Sequence, residues 1–134
     1  MAGKIIADQI EHSTAGSLDT QYVVNGSAKA WVNFNGTGTI AARDSLNTSS
    51  LTDNGTGDYT VTISNALSNA NYSFVGTCAH TNNGGSSRCH SVSQKGSQTP
   101  TTTVYHPYLI FMDNGNSGIT DSAYVMTQII GDLA

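Results

Sequence analysis

Alternation is the clearest signal along the chain. Residues 57 to 64 read GDYTVTIS, with Tyr59, Val61 and Ile63 at every second position and Thr60, Thr62 and Ser64 between them. Successive side chains on a strand point to opposite faces, so this run predicts a strand with one buried and one wet face. Similar runs predict strands at QYVV (21 to 24), KAWVNF (29 to 34), TIAAR (39 to 43), NYSFVG (71 to 76) and CHSVS (89 to 93). Further strands are expected at TTTVYH (101 to 106), YLIFM (108 to 112) and SAYVMTQII (122 to 130). The last contains Ala, Met and Gln, as a helix would, but Tyr124, Val125, Thr127, Ile129 and Ile130 favour a strand. Pro100 and Pro107 bracket the TTTVYH run, and proline cannot donate to a ladder, so that strand is expected at an edge or a bulge.

Turn signals separate these runs. They are Asn25-Gly26, NGTG from Asn35, DNGTGD from Asp53, NNGG from Asn82 and DNGNSG from Asp113. Asn-Gly accepts the positive φ that type I′ hairpin turns demand. Short strands at intervals of roughly 8–12 residues predict an all-β, antiparallel sandwich or barrel with short hairpins. The opening of the chain differs, with Ile5, Ile6 and Ile10 set among Lys4, Asp8, Gln9 and Glu11 and followed by a loose STAGS. The expected division is an extended N-terminal arm over residues 1 to 28 and a β-rich module over 29 to 134. Three isoleucines so close together are costly to leave in water, which makes Ile5, Ile6 and Ile10 candidate anchors on a neighbour. A disordered terminus is the alternative.

Composition sharpens the picture. Ser, Thr, Asn and Gly make up 59 of the 134 residues, a mix that suits strand surfaces and turns and disfavours helix. Polarity here comes from neutral groups, because only 10% of residues are charged and the net charge is -4, unlike the high charge of disordered chains. Five Lys and Arg supply no basic patch for neutralising phosphates, so nucleic acid is not an expected partner. No apolar run approaches the roughly 20 residues that span a bilayer, and the N-terminus lacks an apolar signal-peptide core, so synthesis in a cytosol without membrane insertion is expected.

Candidate chemistry is sparse. Cys78, His80, Cys89 and His90 have atoms that suit zinc, but adjacent Cys89 and His90 point to opposite faces of a strand, which opposes convergence. A Cys78–Cys89 disulfide across an NNGG hairpin and two separately packed thiols are the other readings. DNGTGD lacks the alternating ligands and closing glutamate of an EF-hand loop, so it is read as a hairpin turn. No serine lies in a G-x-S-x-G elbow, no phosphate-binding glycine loop occurs, and no carboxylate pair stands out, so neither an enzyme nor a cofactor is expected. A glycan-cleaving site between subunits, using Glu11, Asp113 or Asp121, is the enzymatic alternative. Aromatic rings beside polar groups suit sugar binding, which makes Tyr105, His106 and Tyr108 candidate receptor residues, with packing in the core as the alternative. Trp31 and Phe34, inside an alternating strand, are expected in the core or a subunit interface.

The segment KAWVNFNGTGTIAARDSLNTSSLTDNGTGDYTVTIS resembles a module of bacteriophage tail-fibre and related virion proteins, especially those of phages of marine bacteria and cyanobacteria. The resemblance is carried by Lys29, Trp31, Val32 and Phe34, then Gly36 and Gly38, then Arg43, Asp44 and Ser45, and by Asp53 through Tyr59. With ANYSFVG at 70 to 76 it covers roughly residues 25 to 76, and GKIIADQIEHSTAGS is similar to the leader of such modules. It implies a non-enzymatic virion structural protein, made in the host bacterial cytoplasm, homotrimeric as fibre-type proteins are, and bound to other tail or capsid proteins. The leading expectation is a tail-fibre-like appendage that attaches to a host surface glycan. The alternative is a decoration or cement protein that stabilises the phage head.

Overall fold

A computed structural model describes residues 3, 5–79, 88–113 and 116–132. Twelve strands and one short helix follow in order: β1 (Gln9–His12), β2 (Gly16–Asp19), α1 (Thr20–Gly26), β3 (Ala28–Asn35), β4 (Ala41–Leu46), β5 (Thr48–Gly55) and β6 (Asp58–Ile63). Then come β7 (Ser73–Cys78), β8 (Arg88–Gln94), β9 (Val104–Tyr105), β10 (Pro107–Asp113), β11 (Asn116–Ile119) and β12 (Val125–Ile130). The fold is all-β and antiparallel, a sandwich with no closed barrel. Sheet one has the order β4-β3-β12-β7. Sheet two has the order β11-β10-β6-β5, with β8 also paired to β10 and β9 to β6.

The core between the sheets follows the alternation. In β6, Tyr59, Val61 and Ile63 are buried while the residues between them are partly exposed. In β3, Ala30, Val32 and Phe34 face inward, and in β12, Val125, Thr127 and Ile129 do. Leu109 and Tyr105 close the core from sheet two, and the Phe34 and Tyr59 rings meet edge to face at 5.1 Å. That geometry sets the positive edge of one ring against the negative face of the other.

Two turns show how the sequence fixes register. β5 and β6 form a hairpin whose turn falls at Thr56-Gly57, one step after Asn54-Gly55. Gly57 has φ +65°, and an added Cβ would lie 2.8 Å from the Thr120 carbonyl oxygen, so only glycine fits. Gly36, in the β3–β4 turn, is a close approach of a different kind. Its N–H donates to the Ser122 carbonyl at 2.9 Å, and a Cβ there would meet the Tyr59 hydroxyl at 2.6 Å. The chain crosses from sheet one to sheet two at Asn47, which adopts φ +54° between β4 and β5. Its amide donates to the carbonyls of Lys29 and Asn65 and its Oδ1 accepts from the Asn65 N–H, which holds the corner in place.

Four expectations are corrected. QYVV at 21 to 24 is helical, in α1. Tyr22, Val23 and Val24 are consecutive, not alternating, and no ladder partner reaches them. The arm is not extended: a β1–β2 hairpin precedes α1. TTTVYH shrinks to the two residues of β9, because Thr102 and Thr103 bend and Pro107 begins a separate strand. β7 and β8 do not form a hairpin, since they lie in different sheets.

Candidate functional site

Four places in the fold gather the side chains singled out above. The first is the N-terminal element. Ile5 and Ile6 are 93% and 82% exposed, and Ile10, Leu18, Val23 and Val24 are also exposed. Ile5, Ile6, Ala7, Ile10, Val23 and Val24 line one common hollow, so the hairpin lead-in and α1 share an apolar surface. No residue of α1 is buried. The element is tied to the sandwich at Lys29, a buried lysine whose ammonium donates to the carbonyls of Val24 and Ser27 at the end of α1. A cation at the carbonyl end of a helix satisfies acceptors that the helix leaves open.

The second place is the outer face of sheet two. His106, between β9 and β10, and Tyr108, on β10, point outward and are half-buried, whereas Tyr105 just before them faces the core and is 0% exposed. Tyr105 is therefore corrected from receptor candidate to core residue, its hydroxyl bonded to Thr127 Oγ1 at 3.0 Å. Alternation on a strand separates Tyr105 from His106, and the sequence carried that signal. Around His106 and Tyr108 the sheet adds Thr60, whose Oγ1 lies 3.2 Å from His106 Nδ1, and Asn54, whose amide donates to the same hydroxyl at 2.9 Å. Lys95 pairs with Asp58 and sets its ammonium 5.7 Å from the centre of the Tyr108 ring. Burial holds the His106 imidazole below its ordinary pKa; Asp58 opposes that shift and Lys95 adds to it. Asp58 Oδ1 and Gln94 Nε2, an acceptor and a donor, are buried beneath this face and have no hydrogen-bond partner among the described residues. Ligand hydroxyl groups, which both donate and accept, match the imidazole, hydroxyl and amide groups of His106, Thr60 and Asn54.

A third group is structural. Asp121 Oδ1 accepts from the Tyr59 hydroxyl at 2.7 Å and the Gly57 N–H at 2.8 Å, so its carboxylate is engaged in holding the β5–β6 turn against the loop before β12. Glu11 is exposed on β1, and the Asp113 side chain lies outside the described residues. His80 and the Cys89 side chain also lie outside them, and with them the zinc and disulfide readings. Cys78 packs against the core from β7. Among the described residues no group of three or more His, Cys, Asp or Glu converges.

The fourth place is the outer face of sheet one, which carries Trp31. Phe34 is in the core at 0% exposed, while Trp31 faces outward over a groove of about 370 Å³ shared with Asn33, Val75, Met126 and Gln128. No protein-family model, no curated protein and no solved structure matches this chain.

The buried tyrosines also set how the fold responds to alkali. Burial pushes Tyr105 and Tyr72 up to about 12, and Tyr59 is raised further by burial together with the bond to Asp121 and its charge. An unfolded chain ionises these phenols near pH 10, where the folded chain still keeps its protons. Stability is therefore fully present below about pH 10 and falls as pH rises toward about 12, with Tyr105 alone contributing about 2–3 kcal/mol to the loss. Urea unfolding followed across that window should show a falling midpoint, and a flat one would contradict the burial of these hydroxyls.

Proposed function

We propose that this chain is a non-enzymatic bacteriophage virion structural protein, a tail-fibre-like appendage held by its N-terminal element and presenting the outer face of sheet two to a host surface glycan. One observation carries the reading. Among the described residues every buried apolar one lies at Ala30 or beyond, while the N-terminal element carries an apolar surface left open. Such a surface calls for a partner in an assembly. The resemblance of residues 25 to 76 to virion modules supports a particle as that assembly, and those residues include β3 to β6, which contribute two neighbouring strands to each sheet. Gly36, a residue of that resemblance, stands where close packing against Tyr59 requires glycine.

The glycan part rests on His106, Tyr108, Thr60 and Asn54, which together offer a ring and a set of donors and acceptors. Purified chain added to host cells ahead of the particles should slow adsorption. The Tyr108→Ala variant should lose that competition without a change in its circular dichroism. Equal competition by both proteins would remove this face from receptor binding.

A further inference from the structure

The two sheets turn different surfaces outward. Sheet two shows Thr52, Thr60, Ser91 and Ser93 around its ion pair, and also exposes Met112 on β10 and Ile119 on β11. Sheet one shows a row of Leu46, Trp31, Gln128 and Val75 that runs across all four strands, with Met126 in the next row. Leu46 and Val75 are exposed, and Trp31, Met126 and Gln128 are half-buried. In the row beside Trp31, the buried Asn33 Oδ1 has no hydrogen-bond donor among the described residues.

We propose that this face of sheet one is where copies of the chain meet, each covering the groove of another around a rotation axis. Its composition is that of an interface centre, where Trp, Met, Tyr and Arg are enriched and other charges are scarce. The charges at its end identify the occupant as a second copy. Arg43 lies 4.1 Å over the ring of Tyr124, and Asp44 stands beside it on the same strand; both are exposed, and neither forms an ion pair among the described residues. Asp44 Oδ1 accepts from the Ser45 N–H, at 2.8 Å. A surface that carries one unpaired cation and one unpaired anion at a single edge complements itself. In a rotationally symmetric contact, Arg43 of each copy meets Asp44 of the next, while the apolar rows close over one another. Sheet two and the N-terminal element then stay free, one for a receptor and one for the particle. The inference does not rest on the particle reading, since it concerns the purified chain alone.

Sedimentation or light scattering of the full-length protein tests it. The wild type should form one species at a whole multiple of the 14.0 kDa chain mass. Arg43→Asp and Asp44→Arg, each alone, should weaken association roughly tenfold, and the double variant, which restores opposite charges, should recover it. Trp31→Ser should weaken it roughly 30-fold with an unchanged circular dichroism spectrum. A wild type that stays monomeric at on the order of 100 µM would overturn the proposal. So would an oligomer that the single reversals leave intact, or a double variant that fails to reassociate.

Discussion

Removal of residues 1 to 26 leaves a folded sandwich that no longer joins particles. The fold should survive because, among the described residues, those deleted contribute no side chain to the buried core, which begins at Ala30. Lys29 loses the Val24 carbonyl but keeps Ser27, with its backbone and side-chain oxygens both at 2.9 Å, so the cost is about 1 kcal/mol. Assembly should fail because the element carries the exposed apolar surface. Burying Ile5, Ile6 and Ile10 against a partner is worth roughly 4–8 kcal/mol. Occupancy on the particle should therefore fall on the order of a thousandfold. Quantitative mass spectrometry of particles assembled with wild-type or shortened chain measures it, and retained incorporation would remove the anchoring role.

The largest effect on stability is expected at Phe34. Its ring is fully buried, stacked edge to face on Tyr59, and carried by β3 between β4 and β12. Phe34→Ala removes that contact and leaves a cavity between the two sheets, at a cost of about 3–5 kcal/mol. A domain with 5–15 kcal/mol of total stability in the usual range loses a large share of it. Urea unfolding gives the number directly. A loss below about 1.5 kcal/mol would mean that the core closes around the gap, contrary to its dense packing. Trp31, three residues earlier on the same strand and therefore on its opposite face, should behave differently, because its truncation acts on association and hardly on the isolated fold.

How much of this was legible in the sequence depended on whether side chains or backbone carried the information. β6 and β12 were readable because one buried face imposes strict alternation. β5 was not, since Leu51 is its sole large apolar residue; its place comes from the ladder to β6 and the turn at Gly57. The helix α1 was missed because Tyr22, Val23 and Val24 have strand propensity, and propensity is a weak guide where nothing is buried. The candidate site was half legible. His106 and Tyr108 were found from their chemistry, yet Tyr105 was grouped with them against the alternation that sends it inward. Asp58, Thr60 and Lys95 were out of reach, because Asp58 and Thr60 join His106 and Tyr108 only through the pairing of β6 with β9 and β10, and Lys95 only through the pairing of β8 with β10. The Asn47 corner and the Asp121 latch depend in the same way on contacts far apart in sequence.

The most direct test of the proposed role is imaging of purified particles that carry this chain with a label at its C-terminus. Density confined to the tail is the expected result, with the label displaced outward from the attachment point. Density spread over the head would contradict the appendage and make the chain a decoration protein, and particles without label would contradict a virion role altogether.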